Sequence, residues 1–518
     1  MEQNNLHYGP GIKSIWKSFS QETNFPSLEG EKQTEVVIIG GGITGITTAQ
    51  LLSEAGMQVV VIEAMKVGGG STGSSTGNLY AAVEEGFDTI KSKYDTDALL
   101  TVVRNRTKAI DLVEENVDRF AIECDFKRVP WYCYAANEVN AAKIEKEYQA
   151  AKVAGLHSVK VAAEELPFDT VAAIKIDNQA QFNPLLYVQQ LAMAIHGDSC
   201  IIYENTRALS VSEEEINVVV ETDKGKLYAK HVIHATHTPK GVMLDYHSLL
   251  GPYREYGIAA RLASGDYPEG TFWGFYGVNE RFSVRTYDHE GEKRIIVVGQ
   301  PHKVGMKENN LENIANLEKF LLENFDVAEI TNRWGAQNYK PADSLPYIGR
   351  KTKDSEIFIA TGFSSDGLTY GTMAAMVLRD MLTGLENRAT MLFDATRHNP
   401  GKALGKLIKE NVSNTAVMIK DRIFFKDSKL ADIPVDEGKV VEVDGSKVAV
   451  YHDITGEMKA CSAVCTHLGC IVHWNRAEKT WDCPCHASRF NTDGCIIEGP
   501  ALRPLQQIEI TMDNLLNE

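Results

Sequence analysis

Two short stretches near the C-terminus concentrate the residues best able to hold metal: Cys465-Thr466-His467-Leu468-Gly469-Cys470 and Cys483-Pro484-Cys485-His486. Six of the nine cysteines fall between Cys461 and Cys495, whereas Cys124, Cys133 and Cys200 are isolated in the body of the chain. The start, Met1 to Ser20, has no apolar run ending in a small-residue cleavage site, so a soluble, cytoplasmic protein is expected. An odd cysteine count then argues against an extracellular disulfide framework and for a local metal or redox site. A structural zinc ion is the simplest occupant. Zinc sites commonly leave two residues between paired ligands, whereas a single residue separates Cys465 from His467. Zinc would also leave Cys470 and Cys485, at matching places in the two loops, without a role.

A Rieske 2Fe–2S cluster accounts for all six residues. One iron takes two thiolates and the other two imidazoles, so each loop supplies one Cys and one His. The pair of motifs closely resembles the Rieske family. That resemblance implies Cys465, His467, Cys483 and His486 as ligands, with Cys470 and Cys485 joined as a disulfide over the cluster. It further implies that the Ser488 hydroxyl bonds a cluster sulfide and that Gly499-Pro500-Ala501 is a covering proline loop. One position departs from the high-potential members: Phe490 stands where they carry Tyr. A hydrogen bond to cluster sulfur raises the potential, so an intermediate value is expected within the roughly −150 to +300 mV Rieske range. Cys461 and Cys495 are expected to be small buried hydrophobes.

A second constellation lies near the N-terminus. The β-rich run Val36-Val37-Ile38-Ile39 leads at once into Gly40-x-Gly42-x-x-Gly45, and helical spacing follows until Gly56. A second strand, Val59-Val60-Val61-Ile62, ends in Glu63. In that β-α-β setting Gly40 makes the tight turn, Gly42 admits a pyrophosphate and Gly45 lets helix pack on strand. The helix start at Ile43 and Thr44 offers amides and partial positive charge to the phosphates. Glu63 is placed to accept from the adenosine ribose. Three further segments favour FAD over NAD: the run containing Gly70, Ser71 and Thr72, the strand ending at Thr236, and Gly362 leading to a helix near Gly367. A helix N-terminus at Gly367 would stabilise negative charge on a reduced flavin.

These motifs, with Asp343-Ser344-Leu345-Pro346-Tyr347-Ile348-Gly349, resemble the D-amino-acid oxidase/glycine oxidase superfamily of FAD-dependent oxidoreductases over residues 34–395. The resemblance implies an α/β Rossmann-like flavin domain, with pieces near 34–80, 175–245 and 345–395, interleaved with an α+β substrate domain. It implies FAD bound without a covalent link, because no His or Cys stands at Ser74 to Thr76 or around Tyr339. It also implies hydride transfer from a small amine or amino acid to the flavin. Arg261, Tyr276, Arg285, His302 and Tyr339 are the candidates for gripping that substrate, since a guanidinium forks onto a carboxylate.

The elements that must carry these sites follow from patterning. Residues 1–33 read as an extended lead-in, roughly 97–154 as helix-rich, 201–233 and 258–298 as strand-rich, and 368–382 as a helix. A charged, weakly periodic linker is expected over 396–425, and a small all-β Rieske domain over 426–518. A net charge of −17 argues against nucleic acid, and no apolar run is long enough to span a bilayer. Electrons are expected to pass from flavin to cluster and on to an unspecified external acceptor. The alternatives are an oxygen-using oxidase with a structural Rieske domain, reversed flow from an external donor, and a non-enzymatic sensor.

Overall fold

The strand Gly30–Ile39 is central to the first sheet, and its last four residues are buried β-branched side chains, as a parallel strand covered on both faces requires. In the computed structural model, which describes residues 12–241, 244–263, 267, 269–277, 280–307, 309–397, 401–403 and 429–510, this strand has parallel neighbours on both sides. The sheet runs Tyr347–Arg350, Ile357–Thr361, Gly225–His234, Gly30–Ile39, Val59–Ile62, Cys200–Tyr203, with the hairpin Ala208–Glu213 and Val218–Thr222 on Gly225–His234. The helices Ile43–Glu54 and Gly367–Thr383 pack against each other beside it.

A second, mostly antiparallel sheet of nine strands stands beside the first. Its longest members, Leu250–Leu262 and Val327–Pro341, pair antiparallel with Tyr256 opposite Gly335. Helix Leu311–Asn324 covers one face through Ile314, Leu317 and Phe320. The C-terminal unit holds two small sheets, one of three strands from Glu437–Val443 to Met458–Ser462 and one of four from His473–Asn475 to Ile496–Glu498. Its core is built on Trp481 and Phe490, which pair across neighbouring strands. Among the described residues no helix is long and apolar enough to cross a membrane.

Three expectations change. The helix-rich stretch divides into Thr96–Phe120 and Glu138–Val153 around a strand, Lys127–Ala135, whose aromatic and β-branched residues favour a sheet. The supposed flavin piece from 175 begins in the second sheet, because Ala172–Gln181 pairs with Lys127–Ala135. The lead-in is not wholly extended. Helix Ile15–Phe19 buries Ile15 and Trp16, and the Trp16 indole donates to the Ser75 carbonyl at 2.7 Å. The expected linker over 396–425 lies almost wholly outside the described residues.

Candidate functional site

Each cysteine–histidine loop is closed by its own backbone. Cys465 N donates to Cys470 O at 2.8 Å, and Ala487 N to Cys483 O at 2.9 Å. These turns bring the His467 and His486 rings to 5.0 Å, nearly perpendicular, with Cys465 and Cys483 buried beside them. Cys470 and Cys485 form a disulfide. The ring nitrogens of His467 and Nδ1 of His486 are buried without a hydrogen-bonding partner of ordinary geometry. Burial pushes the two imidazoles down to about 4 and about 3, so they stand in the neutral form that ligates metal. Two thiols and two orphaned imidazoles suit a Rieske cluster. Ser488 Oγ accepts from Ala501 N at 3.0 Å, fixing the proline loop over the site. Cys461 is buried as expected, but Cys495 is exposed, on a turn held by its amide donating to Asn491 Oδ1.

The fingerprint loop opens onto a cavity of about 540 Å³. Gly40 lies at φ +115°, and a Cβ there would come within 2.4 Å of the Ala235 carbonyl oxygen. Gly40, Gly42, Ile43, Thr44 and Glu63 line the cavity, as do Gly70, Ser71, Thr72, Thr236 and Gly367. Glu63 accepts from the amides of Gly41 (2.8 Å) and Met65 (2.9 Å), while burial raises its pKa. Thr72 Oγ1 accepts from Ile43 N at 3.1 Å, tying the second Gly-rich run to the helix start. Gly42 at the helix start offers no side-chain cap, so the first-turn amides beyond Ile43 N suit a pyrophosphate. Gly45 and Gly362 do not line the cavity. Gly45 serves close packing instead, since a Cβ there would lie 1.9 Å from the Gly40 carbonyl oxygen.

The helix beginning at Gly367 is positioned by buried charge. Glu84 accepts from Lys340 Nζ at 2.6 Å and pairs with Arg281 at 3.0 Å, and its own amide donates to Asp366 at 2.8 Å. Asp366 faces Arg106 at 3.4 Å. Burial raises the Asp366 pKa to about 6, with Arg106 opposing.

The remaining wall joins the two units of the chain. Arg254 and Glu255 of the second sheet line it, and so do Glu478, Arg489 and Glu498 of the C-terminal unit. Arg254 meets Glu478 through both Nε and Nη2. Arg489 pairs with Asp482 at 2.9 Å and with Glu478 at 3.2 Å. Burial alone would raise the Glu478 pKa, but these two guanidinium groups hold it down to about 2. Nearer the cluster, Gln337 Nε2 donates to Ala487 O at 3.1 Å, and Gly241 N to Pro500 O at 3.1 Å. The His247 ring stands 4.7 Å from His467. The imidazole edge of the cluster site therefore faces the flavin-type body.

None of the five substrate candidates lines the cavity. Arg261 is half-exposed and faces Glu329 at 3.6 Å. The Tyr276 hydroxyl meets that of Tyr134 at 2.8 Å, within a cluster that includes Phe282 and Phe320. Arg285 is fully buried and donates to the carbonyls of Thr76, Gly77 and Phe182, all at 2.9 Å. His302 stacks on Tyr256 and bonds Asn310 and Asn313. Tyr339 also misses the lining but touches both halves. Its ring lies 4.8 Å from cavity-lining His237, and its hydroxyl is 3.4 Å from the carbonyls of His486 and Gly499. Sequence reasoning missed Arg254 and Glu255, adjacent charges on one strand with a bulge between Arg254 and Tyr256.

Comparison with known proteins agrees with this geometry. The family model for FAD dependent oxidoreductases (DAO) matches residues 35–381, and that for the Rieske [2Fe-2S] domain matches 424–509. The chain belongs to the FAD-dependent oxidoreductase family, with a C-terminal Rieske domain. This oxidoreductase is 32% identical to YhfW of Bacillus subtilis, named for a Rieske 2Fe-2S iron-sulfur protein, over 96% of this chain and 98% of that one. It is 24% identical to the gamma-glutamylputrescine oxidoreductase of Escherichia coli, covering 73% of this chain and 89% of the relative. Glycine oxidase from Geobacillus kaustophilus shares the fold, with a TM-score of 0.59 at 18% identity, covering 71% of this chain and 99% of that one.

Proposed function

We propose that the protein oxidises a small amine or amino acid in the cavity and sends the electrons through the Rieske cluster to an external acceptor. When bound, FAD supplies hydride acceptance and the Rieske cluster supplies one-electron transfer. The chain's own residues supply position. The amides of Gly42 and Thr44 and the Glu63 carboxylate orient the dinucleotide, and the helix start at Gly367 places partial positive charge on the cavity. Trp334, buried, closes the wall of the second sheet and helps exclude water. Arg254 and Glu255 stand where a polar substrate group would be met.

The observation that carries this reading is the shared wall: Glu478, Arg489 and Glu498 belong to the Rieske unit yet line the flavin-type cavity. Electron tunnelling weakens steeply with distance, so a cluster domain docked at this wall suits direct transfer. The names of the relatives, glycine oxidase and gamma-glutamylputrescine oxidoreductase, support an amine substrate class. FAD is held non-covalently in this reading, and denatured protein should release all its flavin. Anaerobic screening of amines and amino acids is the test. A substrate should bleach the flavin and then reduce the cluster. Bleaching with a cluster that stays oxidised would defeat the proposed route.

A further inference from the structure

The Rieske unit contributes more to the cavity than its ion pairs. Ile497, Glu498, Gly499, Ala501 and Leu502 all line it, as do Gly40, Gly42 and Glu63 of the first sheet. The two sides are stitched together at one place. His237 Nδ1 lies 2.9 Å from Ser71 Oγ in the second Gly-rich run and 3.4 Å from Glu498 Oε1. Gly241 donates to the Pro500 carbonyl, and the space beside its α-carbon is filled by Leu502.

Lys240 sits at this seam and lines the cavity. Its ammonium lies against Gly499, where a methyl group on the α-carbon would come within 2.5 Å of Nζ. Glu498 and Glu63 both act on it electrostatically, yet among the described residues it makes no ion pair or hydrogen bond. Glu498 is already engaged by His237 at 3.4 Å and by Arg489 at 3.9 Å. A partly buried cation without a partner is costly, and an anion in the cavity removes that cost. The fingerprint lining the same cavity is built for a group bearing two phosphates.

We propose that the Rieske segment Ile497–Leu502 is part of the FAD-binding site, and that Lys240, held against it, is the counter-ion of the FAD pyrophosphate. Flavin binding and Rieske docking are then thermodynamically linked, each stabilising the other. A charge-assisted contact to phosphate tolerates Arg but not a neutral side chain.

The test follows FAD release from purified, cluster-loaded protein by the rise in flavin fluorescence, with the cluster's EPR signal confirming the fold. Lys240→Gln should release FAD more than five-fold faster than the parent, whereas Lys240→Arg should stay within five-fold. Amide hydrogen exchange over residues 496–502 should quicken when FAD is stripped from the parent. Release from Lys240→Gln within five-fold of the parent, or exchange over 496–502 indifferent to FAD, would overturn the proposal. A parent that carries an intact cluster and no FAD would overturn the cofactor assignment, and this proposal with it.

Discussion

The two sites of this protein are built in opposite ways. The residues proposed as cluster ligands all come from two loops spanning Cys465 to His486, each closed by its own hydrogen bonds. The flavin cavity is assembled from segments as far apart as Gly40, Thr236, Trp334, Gly367 and Glu498. A local site is specified by spacing, whereas a distributed one is specified by which faces the sheets present. The first should fail at one residue and the second by degrees.

The largest effect expected is therefore at a ligand. His486→Ala should abolish the Rieske EPR signal, with FAD still bound and released faster only through the linkage at Ile497–Leu502. Loss of both cofactors together would show the two sites to be less separable than their construction suggests. On the cavity side, Thr72→Ala removes one bond, to Ile43 N, and should weaken FAD retention only several-fold.

The ion pair between the two units gives the next effect. Arg254→Met leaves Glu478 buried with Arg489 alone, and breaking a buried pair costs about 3–5 kcal/mol. The lower end applies because one partner remains, and denaturant unfolding would measure it. Arg254→Met with Glu478→Met should recover most of the loss. A double variant no better than the single one would mean that the pair does not act as a unit.

Acid probes the same seam. The folded-state pKa of Glu478 is depressed to about 2, below an unfolded value of about 4.3. Its contribution is fully present above pH ~4.3 and is lost as pH falls through the interval down to about 2. Hydrogen exchange at the seam should rise over that window in the parent, and less so in the double Met variant. The smallest effect expected is electronic. Phe490→Tyr should move the cluster potential modestly upward in a redox titration, leaving flavin retention unchanged.

The same contrast explains what the sequence revealed. The cluster motifs and the β-α-β fingerprint are short and self-contained, so their residues could be read directly. Gly45 is expected both at the cofactor and at the helix–strand contact, and the structure gives it the packing contact, a local requirement. The substrate candidates lie off the cavity lining for the opposite reason. Arg261, Tyr276, Arg285 and His302 are of suitable types in a strand-rich region, but a one-residue change of register sends a side chain to the other face of a sheet. The bulge after Arg254 alters that count within the strand Leu250–Leu262. The Lys127–Ala135 strand was hidden between helices, and the seam at Lys240 and Gly499 depends on a docking that no spacing encodes.

The central claim is direct electron transfer between the two sites, and photoreduction tests it without knowledge of the substrate. A light pulse in anaerobic holoprotein with a sacrificial donor would reduce the flavin, and cluster absorbance would then be followed. The account predicts cluster reduction at a first-order rate independent of protein concentration. A cluster that stays oxidised beside reduced flavin, or a rate that scales with concentration, would contradict it.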